Sequence, residues 1–377
     1  MRICIAFGTR PEFIKLAPVI EELRKSALGV SSSVVIISSG QHKELLEDVV
    51  DAFDVKIDVE FKLMLPNQTS GEFLYRAIEM FDSFFKEVQV SIVVVHGDTG
   101  TAAAAALSAH HNRIPVAHIE AGLRSGDIWA PWPEESNRII IDSISSLHFA
   151  PTNEAGINLE KEGHKNSVHV TGNTVVDSIK LTMEKINSGV IAISPSLKEI
   201  LEQAKSPIVL VTQHRRENFG KPLEDVLRAI DSIANSGATI LFPVHPNPNV
   251  KKLVESKLGR NANIHLIPPL SYGDLVYVLS RSRLIITDSG GLQEEGPTLG
   301  IPVLVTREKT ERPEGVLSGS VRIVGTSTSM ILNSALELLS NDLVHKKMSS
   351  QPNPYGDGTS SKKIVKTMES YLRRNIQ

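Results

Sequence analysis

Short β-branched runs alternate with amphipathic helical patterns along the whole chain, and this alternation constrains the fold more than any other feature. Most of the runs lack the period of two that marks a half-exposed strand, which indicates strands buried on both faces of a parallel sheet. The pattern predicts an α/β fold with doubly wound parallel sheets and right-handed crossovers. The predicted strands lie at 2–7, 34–39, 92–97, 115–119, 147–150 and 168–171 in the first half, and at 207–213, 238–244, 263–268, 284–288, 302–305 and 321–324 in the second.

The two halves of the chain share one rhythm and are separated by a segment, 172–206, that contains no strand pattern. A length of 377 residues also exceeds what one ordinary core accommodates. We therefore predict a Rossmann-like domain over 1–172, a second one over 173–360, and a last helix over 361–377. Ligands of open α/β sheets bind at the carboxyl ends of the strands, so two such edges facing each other would form an interdomain cleft.

Composition argues against several classes of binding partner. A net charge of −3 offers no basic surface for nucleic acid or an anionic membrane, and no segment approaches the roughly 20 apolar residues of a membrane span. The opening segment is too short for a signal peptide, and a single cysteine, Cys4, cannot form an intramolecular disulfide. We expect a soluble, cytoplasmic protein in which Cys4 is a small buried hydrophobic residue.

Three carboxylates follow predicted strands of the first half or lie near them. Asp98 in HGDT and Glu120 in HIEAG come at the ends of two successive strands, and Glu134 lies in a proline-flanked loop. Any one of them alone is more often a helix cap or a surface residue, but three at one edge of a sheet favour acid–base chemistry. If they share a pocket, their mutual repulsion is expected to raise at least one pKa.

Two cations, Arg10 and Lys15, lie close to the predicted start of the first helix. The helix macrodipole disfavours positive charge there, so the arrangement costs stability unless an anion is bound. It therefore favours a ligand site over a solvated helix face. The same segment lacks the G-x-G-x-x-G pattern, so no dinucleotide cofactor is predicted.

The second half carries a glycine turn, DSGGLQEE over 288–295, between a predicted strand and a helix. Paired glycines let backbone N–H groups approach an anion, and Glu295 could then accept hydrogen bonds from a ribose. An ordinary tight turn is the alternative, but the position at a strand end favours a nucleotide.

Two histidines follow other strands of the second half. His214 could donate a proton or contact a phosphate, whereas the proline-rich surroundings of His245 favour a structural loop. The twelve histidines show no zinc-ligand spacing, and neither a Walker A nor a G-x-S-x-G pattern occurs. We predict no metal site and no P-loop or serine-hydrolase chemistry.

Taken in order, eight motifs resemble those of the non-hydrolysing UDP-N-acetylglucosamine 2-epimerases, and the likeness runs from the first residues to about Gly325. The resemblance implies a glycosyltransferase-B-like pair of Rossmann domains, a cytoplasmic homodimer without metal or nicotinamide, and a last helix that returns to pack on the first domain. The motifs are GTRPE followed by Lys15, HGDT, EAGLRSGD, PWPEESNR, QHRRENFG, PVHPNPNV, DSGGLQEE and ERPE.

The resemblance also implies roles for individual residues. It implies that Asp98, Glu120, Glu134 and His214 are catalytic. Leu270 and Leu275 stand where some relatives contact the uracil region with different side chains. The implied substrate contacts are Arg10, Lys15, Asp98, Glu120, His214, Leu270, Leu275, Ser289, Gly290, Gly291, Glu295 and Arg312.

A regulatory segment is implied as well. Gln41 and His42 resemble residues that in bacterial relatives contact a second, activating UDP-GlcNAc molecule. Lys43 replaces the arginine that is common there.

The implied reaction interconverts UDP-GlcNAc and UDP-ManNAc by anti elimination of UDP to 2-acetamidoglucal, followed by re-addition. An epimerase for a related UDP-sugar, uronic or diacetamido, is the first alternative. A glycosyltransferase of the same fold, a hydrolysing epimerase and a non-catalytic nucleotide-sugar sensor are the others. A transferase needs an acceptor, and the three carboxylates exceed what a simple transfer requires.

Overall fold

The computed structural model describes residues 1–41, 43–215, 218–245 and 247–375. The chain forms two compact units, unit 1 with Met1–Leu181 and Gly356–Gln377, and unit 2 with Thr182–Tyr355. The boundary falls inside a continuous helix, α8 (Thr174–Asn187), whereas the sequence prediction placed it after residue 172. No glycine or proline interrupts α8, so its composition gives no sign that the helix passes from one unit to the other.

Unit 1 is built on a seven-stranded sheet in the order β3-β2-β1-β4-β5-β6-β7, and every pair is parallel. Strands β2 and β3 lie on one side of β1, and β4 to β7 lie on the other. The carboxyl ends of β1 and β4 are therefore the switch point of the sheet. Six of the seven strands match the sequence prediction, while β3 was missed because two residues carry no pattern. The strands are β1 (Arg2–Phe7), β2 (Ser33–Ser38), β3 (Val59–Glu60), β4 (Ile92–His96), β5 (Val116–Ile119), β6 (Leu147–Ala150) and β7 (Val168–Val170).

Helices cover both faces of this sheet. In α5 the run Ala102–Ala106 is buried, and such small side chains let a helix lie close to the strands. The apolar face of α4 packs against α5 through Phe73, Ala77 and Phe81. The helices are α1 (Arg10–Lys25), α2 (Ala27–Ser31), α3 (Lys43–Ala52), α4 (Ser70–Glu87), α5 (Gly100–His111), α6 (Glu134–Ile144) and α7 (Asn153–Lys161), with a 3₁₀ turn at Lys165–Ser167.

Unit 2 repeats the same winding with a six-stranded parallel sheet in the order β10-β9-β8-β11-β12-β13. Its switch point lies between β8 and β11. All six strands match the sequence prediction, and the α/β class with two doubly wound parallel sheets is thereby confirmed. The strands are β8 (Ile208–Thr212), β9 (Thr239–Pro243), β10 (Ile264–Ile267), β11 (Leu284–Thr287), β12 (Val303–Val305) and β13 (Val321–Ile323).

A hydrophobic core of unit 2 lies between the sheet and α10, whose buried stripe includes Val226, Ile230 and Ile233. This spacing of three and four residues is the helical period that the sequence shows. The helices are α9 (Pro195–Gln203), α10 (Lys221–Asn235), α11 (Pro248–Leu258), α12 (Tyr272–Arg281), α13 (Leu292–Thr298), α14 (Pro313–Ser318), α15 (Thr328–Ser340) and α16 (Asp342–Ser349).

The last helix, α17 (Ser360–Asn375), belongs to unit 1 and packs against α1. Its first backbone N–H groups, those of Ser360 and Ser361, donate to the carboxylate of Asp177 in α8 at 3.3 and 2.8 Å. A carboxylate at this end of a helix satisfies donors that have no partner within the helix. Across the described ranges, no helix is both long and apolar enough to cross a membrane.

Candidate functional site

The turns after β1 and β4 meet at the switch point of unit 1, and a buried carboxylate joins them. Glu12 in α1 accepts from the backbone N–H groups of Gly8 and Thr9 at 3.0 and 2.8 Å and from the hydroxyl of Thr99 at 2.7 Å. Burial raises the pKa of Glu12 to about 7, against the opposing effect of these hydrogen bonds. Glu12 is a residue that the sequence reasoning did not single out, although the T-x-x-E spacing of Thr9 and Glu12 is a helix-capping signal.

Asp98, directly after β4, is held by α6. Its Oδ2 accepts from Nε and Nη2 of Arg138 at 2.8 and 2.7 Å, and its backbone carbonyl accepts from the amide of Asn137 at 2.8 Å. Arg138 also donates to the buried carboxylate of Glu135 at 2.6 Å. Glu134 is the first, half-buried residue of the same helix. The structure therefore ties Asp98 to the helix that begins at Glu134.

Glu120, directly after β5, is held by a different cation. Its Oε2 forms an ion pair with Lys15 of α1 and accepts from the amide of Asn173 at 3.2 Å. The backbone of Glu120 has φ +65°, a left-handed conformation that is uncommon for a residue with a side chain and often found at functional sites. Lys15, predicted as a substrate contact, thus lies beside a predicted catalytic residue.

Each of these two carboxylates is held by its own cation. Asp98 pairs with Arg138 and Glu120 pairs with Lys15, so both are attracted to a positive charge. The sequence did not indicate these partners, because Arg138 lies far from Asp98 along the chain. That mutual repulsion raises a pKa among the three carboxylates stays a prediction.

His96, the last residue of β4, lies close to Glu120. It is 4% exposed, neither ring nitrogen has a hydrogen-bond partner, and Nε2 is 3.8 Å from Oε2 of Glu120. Burial lowers the pKa of His96 to about 3, although the charge of Glu120 acts in the opposite direction. His96 is therefore a neutral imidazole at neutral pH. Sequence reasoning included it in a motif but assigned it no role.

In unit 2, the switch point is organised by Asp288, which follows β11. Its buried carboxylate accepts from the backbone N–H groups of His214 and Arg215, both at 2.9 Å, and from Nδ1 of His214 at 2.9 Å. Burial acts to raise the pKa of Asp288, but the hydrogen bond and charge of His214 and the two backbone donors outweigh it, and the pKa is lowered. With Nδ1 donating to a carboxylate, Nε2 is the nitrogen of His214 that can exchange a proton with a ligand.

His245 lies beside His214, with ring centroids 6.4 Å apart. The backbone N–H of Asn247 donates to Nδ1 of His245 at 3.2 Å, which is a contact within its own loop. Burial, followed by the charge of His214, lowers the pKa of His245. This local hydrogen bond agrees with the structural role that the sequence suggested for His245.

The glycine turn after β11 is braced from within. Gln293 donates to the carbonyl of Ser289 at 3.0 Å, and the N–H of Glu295 donates to the carbonyl of Gly291 at 2.9 Å. A Cβ added at Gly290 would meet nothing closer than Nη2 of Arg215 at 3.8 Å, and one at Gly291 nothing closer than 3.9 Å. Neither glycine is therefore required by packing within the chain, and Arg215 brings a cation to the turn.

The remaining predicted residues of unit 2 lie in or next to helices α12, α13 and α14. Glu295 is buried in the first turn of α13, and Arg312 forms an ion pair with the neighbouring Glu294. Leu270 and Leu275 are half-buried, one just before α12 and one within it.

Of the implied regulatory pair in unit 1, Gln41 accepts from the hydroxyl of Thr101 at 3.0 Å, and His42 lies outside the described residues.

Sequence reasoning missed Arg215, Asn137 and Arg138 as individual residues. All three occur in motifs that it quoted, QHRRENFG and PWPEESNR, but no spacing rule connects them to the side chains that they contact. Among the described residues, no group of three or more His, Cys, Asp or Glu side chains is arranged to hold a metal ion.

Comparison with known proteins shows which family the chain resembles over its length. The family model described as UDP-N-acetylglucosamine 2-epimerase matches residues 27–369. The UDP-N-acetylglucosamine 2-epimerase of Neisseria meningitidis serogroup A is 42% identical over 377 residues, which cover 98% of this chain and 99% of the relative.

Two solved structures extend the likeness to three dimensions. The UDP-GlcNAc 2-epimerase of Neisseria meningitidis bound to UDP-GlcNAc has a TM-score of 0.88 at 40% identity, covering 98% of this chain and 100% of that one. The Methanocaldococcus jannaschii UDP-GlcNAc 2-epimerase in complex with UDP-GlcNAc and UDP has a TM-score of 0.82 at 33% identity, with coverage of 98% and 100%. The glycosyltransferase-B-like fold that the sequence resemblance implied is confirmed by these neighbours.

Proposed function

This chain belongs to the UDP-N-acetylglucosamine 2-epimerase family, and we propose that it inverts carbon 2 of UDP-GlcNAc to give UDP-ManNAc, reversibly and without hydrolysis. It is thus an isomerase. The observation that carries the proposal is the pair of carboxylates at adjacent strand ends of unit 1, Asp98 held by Arg138 and Glu120 held by Lys15. Relatives crystallised with UDP-GlcNAc and with UDP support the substrate and the leaving group.

The proposed reaction begins with elimination, because the hydrogen on carbon 2 of the sugar is not acidic enough for simple deprotonation. A base removes this proton while the bond from carbon 1 to the diphosphate oxygen breaks on the opposite face, giving 2-acetamidoglucal and UDP. In the return step, a proton is delivered to the other face of carbon 2 and the UDP oxygen bonds again to carbon 1. Atoms and charge balance without a redox partner.

The side chains of unit 1 suit the proton transfers. A general acid or base works only if its oxygen is held in line with the proton it moves. Arg138 and Lys15 fix the orientations of Asp98 and Glu120, and Glu134 begins the helix that carries Arg138. We assign Asp98, Glu120 and Glu134 to the acid–base steps at carbon 2.

The side chains of unit 2 suit the nucleotide. We assign Ser289, Gly290 and Gly291 to the diphosphate, because the turn is open on the glycine side and has Arg215 beside it. The His214–Asp288 pair would place a proton donor at the departing phosphate, where negative charge develops. The further proposed contacts to UDP and the sugar are Arg10, Leu270, Leu275, Glu295 and Arg312.

The test is proton NMR of the purified protein with UDP-GlcNAc in heavy water, with no added cofactor. We expect UDP-ManNAc to appear, the same mixture to be reached from either side, and deuterium at carbon 2 of the product. Accumulation of free sugar and UDP in equal amounts would indicate a hydrolysing enzyme instead. A strict requirement for NAD or a divalent metal, or retention of the original hydrogen at carbon 2, would contradict the mechanism.

We also propose that the protein is a cytoplasmic homodimer. Exposed apolar side chains on and before α6 support self-association, since Ile139 and Ile140 are each 39% exposed and Ile128 is 50% exposed. Sedimentation equilibrium should give twice the mass of the 41.2 kDa chain. A monomer at all concentrations would contradict the proposal.

We propose, finally, that Gln41 and His42 contribute to activation by a second UDP-GlcNAc. Strictly hyperbolic kinetics starting from UDP-ManNAc, with no UDP-GlcNAc present, would contradict it.

A further inference from the structure

A fully buried histidine, His118 in β5, spans the gap between two acceptors in unit 1. Its Nδ1 lies 2.6 Å from Oδ1 of Asp142, and its Nε2 lies 2.7 Å from the backbone carbonyl of Gly97. Both His118 and Asp142 are 0% exposed. The histidine thus connects α6, which carries Asp142, to the residue that precedes Asp98.

The backbone carbonyl of Gly97 only accepts, so Nε2 of His118 carries a proton and donates to it. Burial acts to raise the pKa of Asp142, but its interactions with His118 and Arg124 outweigh burial and lower the pKa to about 2. Arg124 at 2.8 Å and the N–H of Gly122 at 3.2 Å occupy the other oxygen of Asp142 and hold the carboxylate in place.

The hydrogen bond to Gly97 fixes the turn that presents Asp98. Gly97 has φ +66°, so the chain leaves β4 through a left-handed residue whose carbonyl is held from β5. On its other side, Asp98 is held by Asn137 and Arg138 of α6. The turn is therefore fixed from two directions, and His118 supplies one of them.

We propose that His118, together with Asp142, is a positioning residue for Asp98. This inference rests on the proposed function, in which Asp98 handles a proton at carbon 2. A buried polar pair of this kind contributes little net stability, because the loss of hydration offsets the attraction between its members. What the pair provides here is a rigid donor aimed at one carbonyl, and proton transfer depends on such fixed geometry.

Two substitutions separate the two hydrogen bonds of His118. An asparagine amide reaches the position of Nδ1, so His118→Asn keeps the contact with Asp142 and loses the one with Gly97. A glutamine amide reaches the position of Nε2, so His118→Gln can keep the contact with Gly97. We expect His118→Asn to lower kcat by ~10-fold or more with KM little changed, and His118→Gln to retain several-fold more activity.

A matched control is available on the same network. His148 is also buried and contacts Asp142, but through the backbone carbonyl at 2.7 Å, and its other nitrogen faces Ser167 at 3.0 Å. It makes no contact with Gly97, so His148→Asn should lower the melting temperature about as much as His118→Asn while kcat stays close to the wild-type value. Equal losses of kcat in both variants would reduce His118 to a residue of the core and overturn the proposal.

A double-mutant cycle with Asp98→Asn tests whether His118 acts through Asp98. If it does, adding His118→Asn to Asp98→Asn should change the residual rate by less than about two-fold. If the second substitution lowers the rate by the same factor as in the wild type, the two residues act independently and the proposal fails. UDP affinity should be unchanged in all these variants, which shows that they are folded.

A measurement on the unmodified protein does not depend on folding of variants or on activity. The ¹⁵N NMR signal of His118 Nε2, assigned from the protein with ¹⁵N-labelled histidine, should have the shift of a protonated nitrogen. An unprotonated Nε2 would overturn the inference even if epimerisation is observed. Conversely, a protonated Nε2 in a wild-type protein that does not epimerise UDP-GlcNAc would contradict the proposed function and leave the geometry intact.

Discussion

The first six strands of unit 1 and the six strands of unit 2 lie in the same order, third-second-first-fourth-fifth-sixth, yet the two units place different chemistry at the switch point. In unit 1 the strand ends carry carboxylates whose oxygens are held by cations from helices, as Asp98 is by Arg138. In unit 2 the strand ends carry a glycine turn and a carboxylate, Asp288, that is occupied by backbone N–H groups and by His214.

The difference shows how one winding serves two tasks. A carboxylate fixed by a cation is suited to moving a proton along a defined line. An open turn with a neighbouring cation is suited to binding a diphosphate, as the glycines and Arg215 of unit 2 are. The comparison predicts that substitutions of the unit 1 carboxylates change turnover and that substitutions in and beside the glycine turn of unit 2 change nucleotide affinity.

The largest effect is expected from the carboxylates of unit 1. Asp98→Asn, Glu120→Gln and Glu134→Gln remove a proton acceptor but keep the shape of the side chain, so each should lower kcat by ~10²-fold or more. UDP affinity, measured by calorimetry, should stay the same. Glu160→Gln, at an exposed position of α7, is the matched control and should have wild-type turnover. Normal turnover in all three variants would refute the acid–base assignment.

The second effect is a pH dependence of stability that belongs to unit 1. Burial raises the pKa of Glu12 from the ordinary value of 4.5 to about 7. A raised pKa means that the folded protein binds this proton more tightly, so the stabilisation is complete below pH 4.5 and is lost as the pH rises through 7. Over that window the free energy of unfolding should fall by about 3 kcal/mol on account of Glu12, and Glu12→Gln should abolish this dependence.

Tryptophan fluorescence makes that measurement specific. The only two tryptophans of the chain, Trp129 and Trp132, lie in unit 1 and are 72% and 58% exposed. Urea unfolding followed by their emission therefore reports on unit 1. Glu160→Gln again serves as the control, and a variant Glu12→Gln with the same pH dependence as the wild type would show that burial does not govern this carboxyl.

The third effect concerns the nucleotide. Glu295→Ala should weaken UDP binding by about 1–3 kcal/mol, the range for loss of a hydrogen bond to a charged group. Calorimetry with UDP measures it, and Glu255→Ala, at an exposed position of α11, is the control. Because Glu295 lies in unit 2, the comparison also predicts that the glycal, once formed, is protonated at a normal rate. Unchanged UDP affinity would leave Glu295 as a structural residue of the turn.

The sequence predicted the parts of this comparison that follow from local pattern. Buried strands such as β4 and β11 have a hydrophobic signal of their own, and the carboxyl-end rule then identifies Asp98, Glu120 and His214 without further information. The two-residue strand β3 has no such signal, and its pairing with β2 is decided by the fold around it.

The partners of the site residues could not be predicted in this way. Arg138 meets Asp98 and Asp142 meets His118 only because α6 returns across the sheet, and the separations along the chain, 40 and 24 residues, carry no rule. The same holds for His214 and Asp288, which are 74 residues apart. Motif reading therefore finds the residues at strand ends, whereas the charges that surround them are a property of tertiary structure.

The smallest effect distinguishes a glycine that the fold requires from one that the ligand requires. In unit 1 a Cβ on Gly8 would overlap the side-chain oxygens of Ser39 and Thr101, so Gly8→Ala should destabilise the protein by about 1–3 kcal/mol. In unit 2, Gly291 has helical φ and ψ of −62° and −44° and an open position for Cβ.

Gly291→Ala should therefore stabilise the folded protein by about 0.4–1 kcal/mol, because alanine restricts the unfolded chain more than glycine does. The added methyl group should nevertheless weaken UDP binding, since it occupies the side of the turn from which a diphosphate approaches the backbone. Scanning calorimetry without ligand and titration with UDP measure the two changes separately. A more stable protein with unchanged UDP affinity would show that the diphosphate does not lie against this glycine, and the contrast between the two switch points would then rest on Arg215 and His214 alone.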